Sequence, residues 1–212
     1  MELHAFFRSS TSYRLRLMLA AKGLEHAIWP ISLPGGDHRS ASFLDLNPQG
    51  LVPVLVDGGQ VLTQSLAVME YLEERYPDPP MMPGDPLERA YVRALSQIVA
   101  CDIHPLNNAR VLKWLASDLA VDPAGVQRWY AHWIAVGMSD FEALLARERR
   151  HSKFCLGDSL TIADLCLVPQ IANARRFDCD LCAYPLSLAI AERVQAIAAL
   201  AQAAPARQPD AA

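Results

Sequence analysis

The chain has 212 residues, about half of them apolar, and a net charge of −4 with both signs interspersed, so it has ample material for a packed core in one or two domains and no basic block to suit nucleic acid or an anionic membrane. No apolar run approaches the roughly 18–20 residues needed to span a bilayer. The opening residues read as a strand rather than a secretory leader, and the odd count of five cysteines is expected to mean reduced thiols in the cytoplasm.

Residues 2–7 read as a strand, 11–23 as a helix ended by Gly23, 26–33 as a second strand, 34–37 as a loop and 40–46 as a short helix. Between 51 and 62 two apolar runs flank Asp57-Gly58-Gly59, which predicts a hairpin, and Gln64-Ser65 precedes an amphipathic helix over 66–76. The order β-α-β-α-β-β-α predicts a small layered α/β domain over 1–78. Residues 77–86 carry five prolines, which suits a stiff linker, placed at 79–86. The remainder, 87–212, reads as an all-α domain. It has a helix over 87–115 kinked at Pro105, and another over 123–147 with Trp129, Trp133 and Phe141 in the core. A Thr161–Asp164 capping box precedes a buried helix, a last helix runs over about 186–203, and residues 205–212 are expected to fray.

Ser9-Ser10-Thr11-Ser12 falls where the first strand turns into the first helix, with Arg8 just before it. Unpaired N–H groups and the positive end of the helix dipole point into such a turn, making it a seat for an anion. On composition alone it reads equally well as a plain helix cap. A β-α-β unit followed by a hairpin and a helix is the thioredoxin-like arrangement, whose redox members carry Cys-x-x-Cys at this place. Here hydroxyls stand instead, so a thiol is expected to arrive with a ligand. Two further features suit a peptide-like ligand. A cis Val52–Pro53 bond would aim the Val52 backbone groups outward, where an extended peptide can pair with them. Gln64-Ser65 at a helix N-terminus is a seat for a carboxylate.

These residues resemble the soluble glutathione transferases, and the run from Ser9 to Leu17 resembles the zeta-class signature, a Ser-Ser-Cys-x-Trp-Arg-Val-Arg pattern. Asn47-Pro48-Gln49 with Val52-Pro53, Gln64-Ser65, Gly157-Asp158 with Thr161–Asp164, the run from Asp102 to Asn108 and the run from Pro169 to Phe177 extend the resemblance over essentially the whole chain. Thr11 departs from the usual cysteine and Tyr13 from the frequent tryptophan. The resemblance implies a glutathione transferase fold, glutathione as cofactor and a homodimer. It places the glutathione thiol over Ser9, Ser10 and Thr11, the γ-glutamyl carboxylate on Gln64 and Ser65, and the cysteinyl backbone on Val52 beside Pro53. His38 and Gln49 would approach the glycyl end, and His104, Asn108 and Arg110 match positions lining the ligand cleft. With Thr11 in place of cysteine, glutathione would be the only sulfur nucleophile.

The reaction the resemblance implies is cis–trans isomerisation of maleyl compounds, maleylacetoacetate first and maleylpyruvate close behind. A thiolate adds to the cis double bond, the resulting single bond rotates, and elimination gives the trans isomer. Both substrates are small dicarboxylates, which guanidinium forks bind bidentately. Arg8, Arg110 and Arg176 are the candidates, to bind carboxylates and to stabilise the enolate formed on addition; each also fits a plain structural or helix-end charge. A transferase conjugating α-halo acids and a non-catalytic glutathione-binding protein are the other readings. Arg14 and Arg16, two apart, are expected to face different sides of their helix as structural or ion-pair residues. Cys179-x-x-Cys182 lacks the four ligands of a zinc site and reads as incidental; no metal is expected.

Overall fold

β1 (Glu2–Ala5) turns Leu3 and Ala5 into the core. It pairs in parallel with β2 (Ala27–Pro30) and antiparallel with β3 (Val54–Asp57), and β3 pairs with β4 (Gln60–Thr63), so the sheet order is β2-β1-β3-β4. Gly58 and Gly59, at φ +56° and +81°, make the turn between β3 and β4, because a two-residue hairpin needs the left-handed region that glycine enters freely. α1 (Ser10–Ala21) buries Leu15, Leu17, Met18 and Leu19, and packs against α3 (Ser65–Arg75), which buries Val68, Met69 and Leu72. α2 (Ala41–Leu46) lies between β2 and β3 in the chain. This is the expected thioredoxin-like layer.

The computed structural model describes residues 1–211, and they form two compact units: Met1–Met81 with the segment from Gln195 onward, and Met82–Val194. The C-terminal segment, expected with the helical domain over 87–212, therefore groups with the first unit. The proline-rich run is tied down by a buried cation. Lys22 Nζ donates to the carbonyls of Tyr76 (2.7 Å) and Pro79 (2.9 Å) and pairs with Glu73 at 2.8 Å, while Glu73 accepts the Met81 N–H.

In the second unit, α4 (Pro86–Gln97) runs into a wider π turn over Ile98–Ile103, in which the His104 N–H reaches the Val99 carbonyl at 3.0 Å. The single kinked helix expected over 87–115 is thus two helices. Pro105 has no N–H with which to continue the ladder, and Asn108 caps a new start by accepting the Arg110 N–H, opening α5 (Ala109–Ser117). α6 (Pro123–Glu148) passes the π turn closely: a Cβ at Gly137 would lie 2.2 Å from Ile103 Cγ1. Phe141 is buried, whereas Trp129 and Trp133 are half-buried. The capping box before α7 (Ile162–Arg176) forms as expected. Asp164, fully buried, accepts the Thr161 N–H, the Thr161 hydroxyl and the Cys155 N–H, each at 2.8 Å.

The expected last helix is split at Ile197 into α8 (Pro185–Ala196) and one turn, α9 (Ala198–Ala201). The tail does not fray over the described residues. Pro205–Arg207 form a 3-10 turn, the Gln208 side chain donates to the Gln202 and Ala204 carbonyls, and Asp210 accepts a hydrogen bond from Phe7. Among the described residues, no helix is long and apolar enough to cross a membrane.

Candidate active site

The turn between β1 and α1 is built by short-range hydrogen bonds. Ser9 is the N-cap: its Oγ accepts the Ser12 N–H at 3.2 Å and its carbonyl accepts the Tyr13 N–H at 2.9 Å. The Ser9 and Thr11 hydroxyls lie 2.8 Å apart, and Thr11 donates to the Val52 carbonyl at 3.1 Å. Ser10 is buried in the first helical turn. Capping and anion-seat readings are therefore compatible, since the same hydroxyls close the helix and stand at the positive end of its dipole. No cysteine occurs in the first 81 residues, so this unit has no sulfur nucleophile of its own at the turn.

The Val52–Pro53 bond is cis, as expected, and Pro53 is buried just before β3. The loop leading to it is braced by the buried Asn47, whose Nδ2 donates to the Leu51 carbonyl (2.8 Å) and whose Oδ1 accepts the Gln49 N–H (3.1 Å). At Gly50, φ is +61° and a Cβ would lie 2.9 Å from the His38 carbonyl, so only glycine lets the loop approach residues 38–39. His38, on a 3-10 turn (Asp37–Arg39), is half-buried, and its Nδ1 is buried with no hydrogen-bond partner among the described residues. Burial, then the Arg39 charge, holds its pKa below the ordinary histidine value, with Asp37 opposing.

Gln64 is exposed at φ +67°, ψ +110°, an unusual conformation for a residue with a side chain, and its Nε2 donates to Gln49 Oε1 at 2.9 Å. Strain of this kind is characteristic of functional sites. The next residue, Ser65, opens α3 and is buried; Arg14 Nη1 donates to its Oγ at 3.2 Å. Arg14 and Arg16 do face different sides of α1, but neither is a surface charge: they are 1% and 3% exposed. Arg14 supports Ser65 at the start of α3 and Arg16 reaches the C-terminal segment. Sequence reasoning missed Arg14 and Asn47 as supports of the site. The available signal was an arginine inside an otherwise apolar helical stretch, a position that demands a polar partner.

Arg8 is exposed, its guanidinium stacked over the Phe7 ring at 4.9 Å. In the second unit, His104 and Asn108 are half-buried, with Asn108 Nδ2 3.4 Å from His104 Nε2, and Arg110 is exposed in the first turn of α5. Arg176, exposed at the end of α7, sits over the Phe177 ring at 4.7 Å and hydrogen-bonds Tyr130, which stacks on Phe177 at 3.8 Å. Arg110 and Arg176 thus stand at the ends of two different helices of this unit. Cys179 and Cys182 are free thiols. Burial pushes the first up, and a hydrogen bond with Asp180 pushes up the second, so neither is primed as a thiolate.

A mixed four-stranded sheet, a cis-proline loop and a helix N-terminus lined with hydroxyls define a thioredoxin-like domain that receives a thiol instead of supplying one. The glutathione S-transferase N-terminal domain family matches residues 8–75. The chain is 45% identical over 213 residues to maleylacetoacetate isomerase of Pseudomonas aeruginosa, covering 99% of this chain and 98% of that one. Its fold matches, at a TM-score of 0.98 and 45% identity with both chains fully covered, a holo maleylpyruvate isomerase, a bacterial glutathione S-transferase of the zeta class. It matches, at 0.97 and 37% identity, again with full coverage, a maleylacetoacetate isomerase from Methylobacterium extorquens AM1 with malonate and glutathione bound. The chain belongs to the zeta class of the glutathione transferase family.

Proposed function

We propose that the protein is a glutathione-dependent cis–trans isomerase of maleyl compounds, acting on maleylacetoacetate, with maleylpyruvate the second reading. The observation that carries this is the linked set Ser9, Thr11 and Val52 at a helix N-terminus without a thiol. Relatives named for each substrate support the two readings alike. That the Methylobacterium relative binds malonate as well as glutathione supports a dicarboxylate seat.

The donors of the first unit fit the tripeptide. Val52 offers backbone groups to its cysteinyl residue, Gln64 and the Arg14-supported Ser65 hold the γ-glutamyl carboxylate, and Gln49 and the partnerless Nδ1 of His38 serve the glycyl end. Bound glutathione supplies the thiolate whose reversible addition to the cis double bond allows rotation. Ser9, turning its hydroxyl from Thr11 to the sulfur, and Ser10 favour that thiolate by hydrogen bonds, Thr11 holds the Val52 loop against the turn, and all three stand at the positive end of the helix dipole. A free thiol titrates near 8.5, and a depression of two units takes only about 2.7 kcal/mol of preferential stabilisation. Arg8, Arg110 and Arg176 neutralise the substrate carboxylates and the charge that develops on the conjugated carbonyl oxygen. His104 and Asn108 line the substrate side. The family supports a homodimer, and the odd cysteine count a cytoplasmic setting.

Separate rate measurements with maleylacetoacetate and maleylpyruvate test the proposal. Fumaryl product from one or both supports it and ranks the substrates. Absence of product from both overturns it.

A further inference from the structure

Residue Phe7, two before Ser9, is gripped on both sides by groups the proposed reaction does not use. Its N–H donates to Asp210 Oδ2 at 2.9 Å, and its carbonyl accepts from Arg16 Nη2 at 3.0 Å. Arg16 Nε in turn donates to the Ala203 carbonyl at 2.9 Å. Tyr13, on the same helix, hydrogen-bonds Gln195 and lies under the Arg16 guanidinium at 5.4 Å. α9 packs against α1, and two side chains of α1, Tyr13 and Arg16, lean on the C-terminal segment.

The rest of the turn is held locally. The Phe6 N–H reaches Ser12 Oγ at 3.4 Å and the Ser9 N–H donates to the Phe6 carbonyl at 3.0 Å. Besides the Thr11 bond to Val52, the Phe7 peptide groups take partners from outside the turn, and Arg8 stacks on the Phe7 ring. Arg16 is a desolvated cation: burial pulls its pKa down to about 10, with the Asp210 charge opposing. A buried guanidinium keeps a fixed direction only while its acceptors and counter-charge stay in place.

We infer that the C-terminal segment is a positioning element for the turn that seats the thiolate, with Asp210 as the positioning residue that locks the Phe7 peptide and, through it, Arg8 and Ser9. It makes the site depend on residues some 200 positions away in sequence. Misplacement of a reacting group by about 1 Å is enough to cost up to 100-fold in rate. The inference rests on the proposed glutathione chemistry for its rate consequences but not for its geometry.

Two variants separate the components. Asp210→Ala removes the acceptor; Asp210→Asn keeps an acceptor and removes only the charge facing Arg16. The first readout is amide hydrogen exchange over residues 6–12 in the ligand-free protein. Asp210→Ala is expected to raise exchange there at least tenfold, and Asp210→Asn much less. The second readout is kcat with saturating glutathione, expected to fall about tenfold in Asp210→Ala while KM for glutathione changes less than twofold and Asp210→Asn recovers most of the rate. Unchanged exchange over 6–12 in Asp210→Ala overturns the inference, whether or not the variant loses thermal stability. If Asp210→Ala does not fold, Asp210→Ser, whose hydroxyl is too short to reach the Phe7 N–H, takes its place, and unchanged exchange over 6–12 there overturns the inference as well. A wild-type protein without glutathione-dependent turnover would refute the proposed function and leave the exchange result to decide the positioning role.

Discussion

The Thr11 hydroxyl donates to the Val52 carbonyl at 3.1 Å, joining the first turn of α1 to the cis-proline loop across 41 positions of sequence. Thr11 replaces the cysteine expected from the family pattern, and in the proposed site the bond makes it a strut between the thiolate seat and the peptide-pairing edge. Removing its hydroxyl while keeping its shape, as in Thr11→Val, is expected to weaken glutathione binding about fivefold, the equivalent of one net hydrogen bond. Thr11→Ser should bind like the wild type. Isothermal titration of both variants checks this, and equal affinity of Thr11→Val and wild type would contradict the strut.

Ser9→Ala should show two separable losses. The cap contributes about 1 kcal/mol to stability, because the Ser12 N–H loses its acceptor. The thiolate loses a donor, so the pKa of bound glutathione, followed by thiolate absorbance, should rise and kcat/KM fall about 100-fold. A stability loss with no change in the thiol titration would assign Ser9 to capping alone.

Arg14→Met removes the donor that holds Ser65. KM for glutathione should rise about tenfold with kcat nearly unchanged, since the proposed γ-glutamyl seat would act on binding and not on the reacting double bond. An equal fall in kcat would move Arg14 into the chemistry.

His38 gives a pH dependence of definite sign. Its folded pKa lies below the ordinary 6.5, lowered first by burial. It is therefore neutral at pH 7, and its proton-linked stability is complete above 6.5 and is lost as pH falls through the depressed value. The affinity ratio of wild type to His38→Asn for glutathione should stay flat through neutral pH and increase only in acid, when an imidazolium meets the glycyl carboxylate. A ratio that changes between pH 7 and 8 would contradict this assignment.

Much of the first unit was legible in its sequence because its signals are local. Asp57-Gly58-Gly59 specifies a hairpin, Ser9 a cap, and Val52-Pro53 a turn into a strand. The helical unit was legible in its capping box, where Thr161 and Asp164 are three apart, but not at residues 98–108. There the apolar periodicity continues through a π turn and only Pro105 and Asn108 mark the break. Arg16 and the C-terminal segment left no signal, since bonds spanning 187 and 203 positions have no periodicity to read. The same holds for Lys22, whose ion pair with Glu73 pins the proline-rich run. Lys22→Met should cost about 3–5 kcal/mol in chemical denaturation by leaving Glu73 unpaired, and adding Glu73→Gln should restore part of it.

The central claim is that glutathione is regenerated in each cycle. Purified protein, a tenth of an equivalent of glutathione per maleyl substrate, and simultaneous assays of fumaryl product and free thiol test it most directly. The expected result is complete conversion with the thiol titre unchanged. Product capped at the amount of glutathione added, with matching loss of thiol, would contradict isomerisation and establish conjugation instead.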